Sequence, residues 1–210
     1  MAAVGAAAAR SALGKLSANS TALFVCDIQE RFRPVITGFP AVIDTARRMV
    51  RGANVIGLPV VVTEQYPAKL GSTVSELAEV LPPAAPIVAK TLFSMVTPEV
   101  AAFLEANSAI RQVLLCGIET HVCVLQTSLD LIERGYEVHV LTDGVSSQRL
   151  TDREAGLMRM SQSGAYLGSS EMCLFQLMKD AKANGFKEIS ALVREPRPDM
   201  LLLPGLRTAM

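Results

Sequence analysis

The chain reads as an α/β fold, a three-layer sandwich in which a six-stranded, mainly parallel sheet carries helices on both faces. Three observations predict it. Short β-rich runs alternate with longer amphipathic ones across residues 19–195. Short runs such as Thr21-Ala22-Leu23-Phe24-Val25-Cys26 are continuously apolar, as in strands buried on both faces. Helix punctuation falls between the strands, and strands separated by helices imply βαβ crossovers into a mostly parallel sheet.

The elements follow in order. Thr21 to Cys26 is the first strand. Ala41 to Ile56 carries Val42, Ala46, Met49, Val50, Ala53 and Val55 at helical spacing, and Gly57 ends it. Pro59 starts the strand Val60 to Thr63, and Thr73 to Val80 is a short helix. Pro86 to Ala89 is a third strand, delivering Lys90 at its end. Thr97-Pro98-Glu99 opens a helix reaching about Ala106, with a hydroxyl cap, a proline at the first position and an acid in the first turn. Val113 to Cys116 is the fourth strand. The next helix shows Val122, Leu125, Leu129 and Ile132 on one face and ends at Arg134-Gly135. Val138 to Leu141 is the fifth strand, Thr151 opens a helix to about Ser161, Ala165 to Leu167 is the sixth strand, and Ser169 starts a further helix.

Composition bounds the function. Half of the 210 residues are hydrophobic and 19% are charged, which suits a sizeable core and excludes global disorder. Twenty basic side chains cancel 20 acidic ones, so neither a nucleic-acid footprint nor a polybasic membrane patch is expected. No apolar stretch approaches the roughly 20 residues of a spanning helix. Residues 1–18 read as a flexible leader, 19–195 as one domain and 196–210 as a tail. The leader is Ala- and Ser-rich, carries Arg10 and Lys15, and precedes the first acid, Asp27. That faintly follows a mitochondrial transit peptide, so the matrix is the second expectation after the cytoplasm. The apolar tail Leu201-Leu202-Leu203 is either a loose end or an arm docked on a neighbouring subunit.

Four cysteines, at 26, 116, 123 and 173, show no Cys-x-x-Cys, and the chain has two histidines. That suits neither a zinc site nor a disulfide framework, and free thiols point to a reducing compartment. Cys26 and Cys116 sit in strand runs, where a cysteine serves as a small hydrophobe, and Cys173 lies in a helix.

Cys123 differs. Gly117-Ile118-Glu119-Thr120-His121-Val122-Cys123 follows the fourth strand and leads into a helix, at the open edge where α/β sheets bind ligands. Helix N-terminal amides there favour a thiolate. Asp27 closes the first strand and Lys90 the third, so all three reach one edge. Each alone has a structural explanation: a turn former, a solvated cation, a packing thiol. Together they make a reactive site, because an ammonium stabilises a thiolate and a carboxylate can accept the thiol proton and return it to a leaving amine. Attack by sulfur on a carbonyl would then give a thioester that water hydrolyses.

Asp27 with Gln29, Lys90 in Lys90-Thr91-Leu92-Phe93-Ser94, and Gly117-Ile118-Glu119-Thr120 ahead of Cys123 resemble the isochorismatase-like cysteine hydrolases. The likeness is greatest to the animal isochorismatase-domain branch, through Cys26 to Arg33, Thr63 to Pro67 and Phe186 to Ile189. The resemblance implies an isochorismatase-like fold with Cys123 as nucleophile, Asp27 as general base and acid, and Lys90 as electrostatic partner. It implies a cis peptide at Ile118-Glu119 and an oxyanion hole from the backbone amides of Glu119 and Cys123. Family nicotinamidases carry a histidine-containing metal cluster after the second strand. Here Thr63 to Gly71 has no histidine, so neither metal nor cofactor is expected. Isochorismatases that cleave a vinyl ether need no thiol, so Cys123 favours a small amide, imide or carbamoyl substrate.

Phe32, Gln65, Tyr66 and Phe93 are candidates for substrate contact, each with a packing or turn role as the alternative. His121 is either a site residue or a helix-start or interface residue, and His139, inside a strand, is structural. A homo-oligomer is expected. The rival reading is a catalytically idle member serving as a binding or protein-interaction module, its protein partner unknown. A thiol redox sensor is a third reading, lacking a resolving cysteine that the sequence can place.

Overall fold

The computed structural model describes residues 13–198. Six strands form one parallel sheet: β1 (Thr21–Cys26), β2 (Val60–Gln65), β3 (Ile87–Lys90), β4 (Gln112–Ile118), β5 (Glu137–Ser146) and β6 (Tyr166–Gly168). Their order is β3-β2-β1-β4-β5-β6, every pair parallel. The chain runs outward on one side of β1 and on the other side from β4. The strand order therefore reverses between these two, where α/β sheets open a crevice at the carboxyl ends.

Eight helices cover the sheet among the described residues: α1 (Phe39–Ile56), α2 (Pro67–Leu70), α3 (Ser75–Ala78), α4 (Pro98–Ala106), α5 (Leu125–Glu133), α6 (Leu150–Gln162), α7 (Ser170–Met178) and α8 (Phe186–Arg194). Alternate residues of β1 divide the core. Leu23 and Val25 pack with α1, α7 and α8, while Ala22, Phe24 and Cys26 pack with α4, α5 and α6. The caps follow the sequence pattern. Thr97 Oγ1 accepts from Val100 N at the start of α4, and Ser169 Oγ accepts from Met172 N at the start of α7.

Several expectations need correction. Val122, Leu125, Leu129 and Ile132 are all half-buried on the helix after β4, while Cys123, Val124, Thr127, Ser128 and Leu131 face inward. Two hydroxyls occupy the core face, and each donates back to a carbonyl four residues earlier, Thr127 to Cys123 and Ser128 to Val124. Satisfied in this way, they are buried without an orphan donor. β5 extends past Leu141 to Ser146 because its polar end finds partners. Asp143 accepts from Ser170 N and Oγ at 2.8 and 2.5 Å. The register to β4 slips there, Leu115 pairing with Val140 but Gly117 with Val145. α8, to which the periodicity assigns no element, packs on α1, with Ile189 and Leu192 buried.

Residues 13–18, read as part of the leader, lie against the sheet. Leu16 is buried, and Gln112 Nε2 donates to Lys15 O. Leu201 to Leu203 lie outside the described residues. No helix among those described is long and apolar enough to cross a membrane.

Candidate active site

Asp27 follows β1 in a left-handed conformation, φ 53°, and is 1% exposed. Its Oδ1 accepts from Thr63 Oγ1 at 2.7 Å and its Oδ2 from Lys90 Nζ at 2.6 Å. Thr63 pairs with Cys26 across β1 and β2, so the strand register itself places that hydroxyl. Lys90, the last residue of β3, lies two strands away from Asp27 and reaches over β2. Its ammonium is also met by Gln65 Oε1 at 2.6 Å and by the carbonyls of Leu92 and Phe93, both at 3.1 Å. Burial disfavours the Lys90 charge, but the neighbouring Cys26, Asp27 and Cys123 outweigh it and raise its pKa above the ordinary lysine value.

Cys123 sits in a single π-helical turn, Thr120–Val124, between β4 and α5, and is 7% exposed. Such turns recur at functional sites. The peptide bond Ile118–Glu119 is cis. Gly117, at φ 122°, has no alternative: a Cβ there would collide with the Cys26 carbonyl. Gly156 of α6 is close-packed but less so, a Cβ meeting His121 Cα and N and Thr120 C at 3.0 Å. Two further bonds anchor the turn. His121 Nδ1 pairs with Ser147 Oγ at 3.0 Å, and Glu119 Oε2 accepts from Gln148 N at 2.9 Å. His121 therefore has a holding role.

The other sequence candidates separate. Gln65 directs its carboxamide to Lys90 and to Thr91 O, so it positions the ammonium. Tyr66 and Phe93, 49% and 52% exposed, stand at the carboxyl ends of β2 and β3 with their rings accessible. Phe32 packs on the core of the other sheet face, away from Cys123.

Three residues of the site escaped sequence reasoning. Thr63 orients Asp27. Thr127 Oγ1 donates to Cys123 O at 2.6 Å and accepts from Met95 N at 2.9 Å, tying the nucleophile turn to the segment after Lys90. Cys26 is more than a packing residue: its thiol donates to Asp27 Oδ2 at 3.6 Å, and it shares one buried cluster with Cys123. Burial pushes the Cys26 thiol well up, reinforced by Cys123 and Asp27. Burial, with Asp143 adding to it, pushes Cys116 and Cys173 up to about 12. The Cys26 signal was available, since it is the last residue of a parallel strand, and ligands bind beyond such ends. Among the described residues, no group of three or more His, Cys, Asp and Glu could hold a metal ion.

An open parallel sheet thus carries a buried carboxylate, ammonium and thiol near its switch point. A family model, the isochorismatase domain, matches residues 21–172. The chain belongs to the isochorismatase family. It is 48% identical to isochorismatase domain-containing protein 2A of Mus musculus over 94% of each chain. It is 44% identical to the MAR1 ribonuclease of Caenorhabditis elegans, with TM-score 0.86 over 90% of this chain and 97% of that one. YcaC of Escherichia coli, an octameric hydrolase of unknown specificity, shares the fold at 24% identity and TM-score 0.77, over 85% and 88%.

Proposed function

We propose that the protein is a metal-independent cysteine hydrolase acting on a small amide, imide or carbamoyl compound. The observation that carries this reading is the Asp27–Lys90 pair, buried at 2.6 Å beside the turn that presents Cys123. Asp27 takes the Cys123 thiol proton as sulfur attacks the carbonyl carbon. The amides of Glu119 and Cys123 receive the oxyanion. Asp27 then protonates the leaving nitrogen, and the C–N bond breaks to leave a thioester. Water, deprotonated by Asp27, cleaves the thioester and restores the thiol. Lys90 compensates the negative charge throughout. Tyr66 and Phe93 flank the approach and favour a substrate with an apolar portion.

The test is a panel of primary amides, imides and carbamoyl compounds, read by product release and by intact mass for an acyl adduct on Cys123. Turnover and adduct are expected, and Cys123→Ala removes the adduct and lowers turnover by at least about 10³-fold. Iodoacetamide at neutral pH is expected to label Cys123 before the three thiols that burial raises. Absence of both turnover and adduct across the panel would leave an idle binding module. Cleavage of an RNA oligonucleotide without amide turnover would replace this reading by a nucleolytic one.

The same reading includes a homo-oligomer, supported by the half-buried apolar stripe Val122, Leu125, Leu129 and Ile132. Light scattering at micromolar concentration is expected to give a multiple of the chain mass, and a monomer would sink it.

A further inference from the structure

We propose that Cys26 and Cys123 form a reversible disulfide, with Cys26 the resolving thiol of an oxidation site built into the nucleophile pocket. The sheet sorts the four thiols into two pairs. Cys116 and Cys173 belong to the core on the α1 face, whereas Cys26 and Cys123 share the core on the α5 face. The partners are brought together by the fold. Cys26 ends β1 and pairs with Gly117 at the end of β4, whose missing Cβ lets the two backbones close up. Six residues beyond Gly117 the π-helical turn returns Cys123 to the same buried cluster as Cys26.

The environment divides the labour between the two sulfurs. Cys26 is fully buried and held as a thiol, while Cys123 retains 7% exposure, so it is the first of the two that a peroxide meets. The Cys123 thiolate attacks one oxygen of hydrogen peroxide. The O–O bond breaks, the sulfur loses two electrons to become a sulfenic acid, and the departing hydroxide is protonated to water. The Cys26 sulfur then attacks the sulfenic sulfur. An S–S bond forms, the S–O bond breaks, and the Cys26 proton passes through Asp27 Oδ2 to the leaving hydroxide. One peroxide and two thiols give one disulfide and two waters. The disulfide would block the nucleophile and shield it from irreversible sulfinic acid.

The experiment needs no substrate, so it stands or falls apart from the hydrolase reading. The full chain is treated with a small excess of hydrogen peroxide, trapped with N-ethylmaleimide under denaturing conditions, and digested with trypsin. Cleavage yields peptides 16–31, with Cys26, and 112–134, with both Cys116 and Cys123. A Cys116→Ala background therefore makes the assignment unambiguous. Expected in that background are a cross-linked 16–31/112–134 species lighter by two hydrogens, loss of two of the three remaining thiols, and recovery of both with dithiothreitol. In Cys26→Ala or Cys26→Ser, Cys123 is expected to reach the sulfinic state roughly tenfold faster. Sulfinic Cys123 with free Cys26 in the parent chain would overturn the proposal. So would equal rates of over-oxidation with and without the Cys26 thiol.

Discussion

Strands β1 and β4 end in two buried polar clusters of opposite character. At their amino ends stand Thr21 and Gln112, paired across the ladder. The Gln112 carboxamide accepts from Ser17 N and Thr21 Oγ1 and donates to Lys15 O and Glu137 Oε2, at 2.7–3.1 Å. Every lone pair and hydrogen of that neutral group has a partner. At the carboxyl ends stand Asp27 and Lys90, a charged pair whose Oδ2 is shared with the Cys26 thiol. One end is organised around a neutral carboxamide that donates to the Glu137 side chain. The other holds a carboxylate and an ammonium out of water beside two thiols, so a proton has somewhere to go. The difference lies in charge: a neutral carboxamide links the buried groups at the amino ends, whereas a buried ion pair lies beside a thiol at the carboxyl ends.

The largest break in this contrast is expected from Lys90→Met. It strands the Asp27 carboxylate in the core and should cost about 3–5 kcal/mol. Gln112→Ala, at the other end, should cost about 1–3 kcal/mol and leave the iodoacetamide rate of Cys123 unchanged. Urea unfolding and the labelling rate check both, and equal losses with equal slowing would erase the distinction.

Next in size is a pH effect at the amino end. His139 is stacked on Tyr166 with ring centroids 4.8 Å apart, and burial pushes its pKa from 6.5 down to about 4, Glu137 opposing weakly. The unfolded chain then binds a proton that the folded chain refuses. Stability should be full above about pH 6.5 and fall as the pH drops towards 4, by up to roughly 3 kcal/mol. His139→Phe should remove that part of the slope, and a slope that survives belongs to another group.

The smallest effect tests the reactive end. Gly156→Ala presses a methyl onto Thr120 and His121, and the overpacking is partly offset by better helix propensity, for a net loss of roughly 1 kcal/mol. Labelling of Cys123 should nevertheless slow, because the turn that carries it must shift. An unchanged rate would show that the turn absorbs the strain.

Much of this was legible along the chain because it is local. Asp27, Lys90 and Cys123 stand at the ends of apolar runs, and parallel strands send such ends to one edge. Thr97 and Ser169 announce their helices by capping chemistry that spans a few residues. The inward face of α5 was not legible because helical periodicity weighs apolar residues, and here Thr127 and Ser128 satisfy their hydroxyls on their own helix. Sequence spacing has no way to score that satisfaction. The extension of β5 was missed for the same reason: Asp143 reads as a strand end until Ser170 is brought to it.

By itself, the sequence determined the order of elements, the parallel sheet and the placement of Asp27, Lys90 and Cys123 at its edge, since these depend on hydrophobic period, caps and strand ends. Only the tertiary structure decided which neighbours those residues meet. Thr63 reaches Asp27 through the β1–β2 register, and Thr127 reaches Met95 across two elements. Cys26 meets Cys123 because the turn after β4 folds back over β1. Lateral contacts between strands far apart in the chain leave no periodic trace in either one.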